Sequence, residues 1–322
     1  MLGEIIAILA VLTFVGSNVL FRKTEHEASP TFINFFRTAV GTITFIIIVL
    51  IINQFDLIIQ IPWELWFILI LSFVFGQVIG DTAYFSAQKE LGTTIALAIS
   101  MTFPLFTFIL SLIFLNRSFE LNLVLSLLLI GVGITIIGKS KTGSEYSEEI
   151  EKFQNQKITS WQIFNKTIFK AIIFCLTAAL GWAVGAVMIE IATDKIEKII
   201  QIKGLSSIIG NVIRFPFALL ILSSMVLREN YLKKKNNSTT SQNHSLRTYI
   251  ILLVASIIGT SLGSYLYTES VHIATANVVA LIASAAPLFA LPLTYIINKE
   301  TITKFGFIGV ILTILGVVII LI

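Results

Sequence analysis

The chain has 322 residues, of which 56% are hydrophobic and 12% charged, with a formal net charge of +4. Soluble domains carry roughly 25% charged residues, so this chain cannot clothe a water-facing surface. One cysteine, Cys175, excludes an internal disulfide. His26, His244 and His272 lie too far apart in sequence to suggest a metal centre, and basic residues confined to short loops are not a nucleic-acid footprint.

Taken in chain order, ten runs are apolar and long enough to cross a bilayer as helix: 3–21, 31–52, 65–88, 92–115, 120–138, 167–190, 204–227, 248–270, 273–297 and 303–322. Lipid offers no partner to a free backbone group, so each run is expected to be helical despite its β-branched residues. Arg22 and Lys23 follow the first run instead of preceding it, which predicts a retained helix and not a cleaved signal. Short connections at Lys89-Glu90-Leu91 and at Val271-His272 predict antiparallel neighbours. The polar stretch 139–166 separates five runs from five, and the basic, Ser/Asn-rich stretch 228–247 is expected to be a mobile loop.

The fold class expected is therefore an all-α polytopic membrane protein of ten transmembrane helices. It divides into a five-helix repeat over 1–138, a polar cytoplasmic linker over 139–166 and a second five-helix repeat over 167–322. Five is odd, so the second half enters the membrane from the opposite side and the repeat is inverted in topology. The duplication is visible without a gap: adding 183 to the numbers around Gly76 gives Gly76/Gly259, Gly80/Gly263, Tyr84/Tyr267 and Pro104-Leu105-Phe106 over Pro287-Leu288-Phe289. Sixteen Lys and Arg fall in loops opposite the termini and four on the same side. That bias places both termini outside a plasma membrane and the linker in the cytoplasm.

Polar residues within apolar spans need a reason, since a charge at mid-helix costs about 2.5–3.5 kcal/mol on insertion scales. Asn34-x-x-Arg37 recurs as Asn211-x-x-Arg214, with both groups on one helix face. The third run carries a polar stripe, Gln77, Asp81, Tyr84 and Gln88; its repeat partner has Thr260, Ser264, Tyr267 and Val271 there, with Glu269 nearby. Asp81 has no neutralising residue in adjacent turns, which leaves two roles: a salt bridge to Arg37 or Arg214, or a protonatable coupling site. Gly76-x-x-x-Gly80, Gly259-x-x-x-Gly263 and Gly181-x-x-x-Gly185 predict close helix crossings. Pro104 and Pro287 predict paired bends within the fourth and ninth spans. Gly133 to Ser140 matches G-x-x-x-x-G-K-S, but its Ile-rich interior at the end of an apolar span cannot cradle a phosphate.

With these motifs the chain resembles the EamA family of the drug/metabolite transporter superfamily. The likeness rests on Gly80, Tyr84, Pro104, Leu105 and Phe106 in one half, on Gly263, Tyr267, Pro287, Leu288, Phe289 and Glu300 in the other, and on Arg37 and Arg214. Asn116-Arg117 stands where the family has an acidic turn. The resemblance implies a secondary carrier, exporting small metabolites such as amino acids by alternating access at a mid-membrane site. Arg37, Arg214, Tyr84, Tyr267, Gln77, Asp81, Asn34, Asn211 and Trp182 are the candidate substrate contacts. Asp81, Glu269, Pro104 and Pro287 are candidates for coupling or gating, with a proton as the candidate ion. A small-molecule substrate, the bilayer and a second copy of the chain are the expected partners; no cofactor, metal or nucleic acid is expected. Competing readings are a flippase for lipophilic compounds and a non-transporting scaffold or sensor. No cluster of residues with catalytic spacing argues for an enzyme.

Overall fold

The computed structural model describes residues 1–116, 159–202, 204–235 and 244–298, with parts of 121–136 and 308–319. Among these residues every regular element is helical. The first part comprises α1 (Leu2–Arg22), α2 (Pro30–Ile51), α3 (Phe55–Ile59), α4 (Trp63–Phe73), a π-helical segment (Val74–Asp81), α5 (Thr82–Leu91), α6 (Thr93–Ser100) and α7 (Phe103–Phe114). The second comprises α8 (Thr159–Ile200), α9 (Ser206–Lys235), α10 (Leu246–Ser256), another π-helical segment (Ile257–Leu262), α11 (Gly263–Ala274), α12 (Ala276–Ser284) and α13 (Ala286–Asn298).

Six helices are long and apolar enough to cross a membrane among the described residues: Leu2–Arg22, Pro30–Ile51, Trp63–Leu91, Phe169–Ile200, Ser206–Lys235 and Leu246–Ala274. Their outward residues are Ile, Leu and Phe, as at Ile43, Ile47 and Leu50 on α2 or Ile173, Leu176 and Leu180 on α8. This is the reverse of a water-soluble surface and suits hydrocarbon. The expected fifth and tenth spans, 120–138 and 303–322, are described only in part, their described residues being helical, and most of the linker lies outside the described residues.

Four expectations need correction. The fourth and ninth spans are not single kinked helices; each is a pair, α6 with α7 and α12 with α13, the latter pair meeting at 43°. Pro104 sits in the first turn of α7, where its missing N–H has no intrahelical partner to lose. Pro287 is the second residue of α13, and its side chain is outside the described set. The tight turns come later than expected, at Gly92, directly after Lys89-Glu90-Leu91, and at Thr275, three residues past Val271-His272. Both polar connections are shorter than expected, since α8 starts at Thr159 and α9 runs on to Lys235. No Gly or Pro interrupts either extension, and a Lys233–Glu229 pair at 2.6 Å supports the last turns of α9.

Packing follows the small residues. A Cβ on Gly181 would come 2.5 Å from the Phe75 carbonyl oxygen, and one on Gly185 would come 2.8 Å from that of Ser72. Here α8 touches the backbone of the third span. Across the molecule, a Cβ on Gly259 would fall 2.0 Å from Ser17 Oγ, and one on Gly263 would fall 2.8 Å from Thr13 Oγ1, so α1 lies equally close to the eighth span. Each first helix thus crosses the third helix of the other half. Two apolar cores result. One gathers α1, α5, α6, α8 and α12 around Phe21, Tyr84 and Phe85; the other joins α2 and α4 to α8 and α9 around Phe45, Phe73 and Phe215.

Candidate binding cavity

The polar face of α2 meets the first π-helical segment. Arg37 Nη2 donates to Asp81 Oδ2 at 2.9 Å and to Gln77 Oε1 at 3.1 Å. Asn34 Nδ2 donates to the Gln77 carbonyl at 2.7 Å and to Thr82 Oγ1 at 2.8 Å, and Gln77 Nε2 reaches Thr38 Oγ1 at 2.9 Å. Trp182 Nε1, from α8, completes the set with a 2.8 Å bond to Asp81 Oδ1. Asp81 therefore pairs with Arg37 and not Arg214, and both its oxygens are engaged. The π-helical stretch supplies this geometry: i→i+5 winding sets Gln77 and Asp81 facing α2 where α8 passes closest.

The second half is arranged differently. Arg214 Nε and Nη2 donate to Asn211 Oδ1 at 2.9 and 2.6 Å, and Nη2 also to Thr268 Oγ1 at 2.7 Å. Its guanidinium carbon lies 4.6 Å from the centre of the Phe73 ring, while Nη1 is buried with no hydrogen-bond partner among the described residues. Arg214 has no carboxylate partner among the described residues. Glu269 accepts from Ser207 at 2.7 Å instead.

Between these two groups lies a cavity of about 140 Å³. Arg37, Gln77, Asp81, Trp182, Arg214 and Tyr267 line it together, and Phe14, Phe73 and Phe103 supply aromatic wall. Of the other candidates, Asn34 and Asn211 stand behind the lining as partners of Gln77 and Arg214. Tyr84 is fully buried against the rings of Phe14, Phe85 and Trp182, its hydroxyl unpartnered. Pro104 and Glu269 are not in the lining. Sequence reasoning missed Thr38, Thr82 and Phe73. Thr38, four residues after Asn34 on the same helix face, was the one with a signal.

The model of the EamA-like transporter family matches residues 1–139 and 169–322. The chain belongs to the EamA-like transporter family, within the drug/metabolite transporter superfamily. An uncharacterized transporter of Archaeoglobus fulgidus is 24% identical over 323 residues, covering 100% of this chain and 98% of that protein. A solved crystal structure superposes with a TM-score of 0.67 at 14% identity, covering 98% of this chain and 95% of its own, a likeness of fold alone. This EamA-like protein is thus a multi-pass membrane transporter.

Proposed function

We propose that this EamA-like protein is a secondary carrier that exports small metabolites of amino-acid size across the plasma membrane by alternating access. The observation that carries the reading is Arg214, a buried guanidinium with one free nitrogen, on the wall of a cavity that both halves of the chain line. Interior charges that line a cavity between helices mark solute pathways in membrane proteins. The paired crossings of α1 and α8 with the third helix of the opposite half supply a natural pivot, because glycine contacts let two bundles rock without unpacking large side chains.

Counterflow in proteoliposomes with a pooled panel of labelled amino acids and small organic acids tests this. Uptake by the wild type is expected to fall by about thirtyfold or more in Arg214→Ala, since truncating a buried charged contact costs about 2 kcal/mol or more. Absence of uptake for every panel member would sink the carrier.

A further inference from the structure

The two halves treat their arginines unequally. Arg37 has Asp81 at 2.9 Å. Position 264, the repeat equivalent of 81, is Ser264, and it lines the same cavity as Arg214. Arg214 is 2% exposed, with Nε and Nη2 engaged and Nη1 free. Among the described residues the charged side chains of the lining are Arg37, Asp81 and Arg214, which sum to +1. A buried cation without a counter-charge is costly, and an anion entering the cavity removes that cost.

The ammonium of a zwitterion would meet no unengaged carboxylate there. Asp81 is the sole carboxylate of the lining among the described residues, and its oxygens already accept from Trp182 and from Arg37. Phe14, Phe73, Phe103 and Met101 form the apolar part of the wall, and its uncharged polar side chains are Ser72, Gln77, Trp182, Ser264 and Tyr267. Its volume of about 140 Å³ is close to that of an engineered apolar cavity that holds one benzene ring.

Building on the carrier reading, we infer that the cavity takes a singly charged carboxylate with an apolar body about one ring in size. Its carboxylate is held by Arg214 beside Ser264, in the space that Asp81 fills in the first half. The acid is selected over the zwitterion of the same size.

One ring with four head groups tests this: 3-phenylpropionate, L-phenylalanine, phenethylamine and 3-phenylpropan-1-ol, measured by equilibrium binding to the purified protein in nanodiscs at low chloride. The acid is expected to bind about tenfold or more tighter than each of the others, in line with a charge-assisted hydrogen bond. Ser264→Asp supplies the second half with its own carboxylate and is expected to abolish acid binding while the unfolding midpoint holds or rises. Arg214→Gln is expected to erase the preference for acid over alcohol, a ratio that does not depend on how much protein folds. Phenylalanine or the alcohol binding as tightly as the acid, acid binding undiminished in Ser264→Asp, or no acid binding at millimolar concentration would each overturn the inference. Counterflow of the same panel keeps the two readings apart. Phenylalanine exchange without acid exchange refutes the anion site and leaves the carrier standing. Acid binding without exchange of any member refutes the carrier and leaves the anion site.

Discussion

Among the described residues of the second half, Thr275 has the largest positive φ outside glycine. It has φ 76° and ψ 155°, nearly the values of Gly92 (79° and 163°), which holds the equivalent turn 183 positions earlier. Only glycine adopts this region at ease, and another residue there costs about 1–3 kcal/mol. The Thr275 hydroxyl gives nothing back as a helix cap, for it makes no capping bond at the start of α12. Thr275→Gly is therefore expected to raise the unfolding midpoint, by about 1 kcal/mol or more in stability, in a detergent thermal melt. An unchanged or lowered midpoint would refute the strain. The pair also shows what one sequence can disclose. Gly92 announces a turn, whereas threonine carries no such signal, and the second turn lies further from its expected place than the first. Asp81 was legible as a functional or paired group because a lone carboxylate in lipid is costly. Its choice of Arg37 over Arg214 was not legible, because it depends on how α2 and α8 meet around the π-helical segment. Tyr84 was misleading for a related reason: membership of a polar stripe does not say whether the ring reaches a cavity or is walled in by Phe14 and Trp182.

Between elements, the connections do more than span gaps. Glu27, in the loop between α1 and α2, accepts from Ser245 N at 2.8 Å and from Thr248 Oγ1 at 2.7 Å, so it caps the start of α10 from another part of the chain. The backbone bond from Ser245, followed by those from the Thr248 and Ser245 hydroxyls, holds the Glu27 carboxyl below the usual range. Glu25, two residues earlier, is shifted the other way. Burial raises it, against the opposing pull of Arg22 and a 2.5 Å bond from Gln88 Nε2. The signs differ accordingly. A raised carboxyl contributes stability that is full below its unfolded value and lost as pH rises through the folded one. A lowered carboxyl contributes above its unfolded value and loses it as pH falls. Comparing Glu27→Gln with wild type isolates the second effect. The wild type should melt higher at pH 7, with the gap closing as pH drops below 4.5, the ordinary value of the group. A gap that stays constant down to about pH 3 would show that Glu27 does not act through its charge. No periodicity in the sequence could have revealed this bond, since a loop residue and a cap 218 positions away share no local pattern.

At the scale of the molecule, the contacts sort the loops into two ends. Arg22 Nη1 donates to the Gln88 carbonyl at 2.7 Å, Ser29 bonds Glu229 at 3.1 Å, and Glu27 reaches Ser245, so these segments share one end. At the other, Gly3 abuts Ala274, and His272 bonds Asp194 at 2.9 Å and also Glu197. The Lys and Arg at the ends of the described spans divide along the same line: Arg22, Lys23, Lys89, Lys170, Arg228, Lys233, Lys234, Lys235 and Arg247 against Lys195 and Lys198. Positive loops are retained in the cytoplasm, so the first end is expected to face inward and the amino terminus outward. Cys175 is the sole cysteine and is buried, which makes Cys175→Ser a clean background for placing single labels. In intact cells, a membrane-impermeant maleimide should label Lys198→Cys directly and Lys23→Cys only after permeabilisation. The reverse pattern would mean that the charge bias does not set orientation here. It would invert the sense of the proposed export without moving the cavity or its arginines, because orientation in the membrane does not alter contacts within the chain.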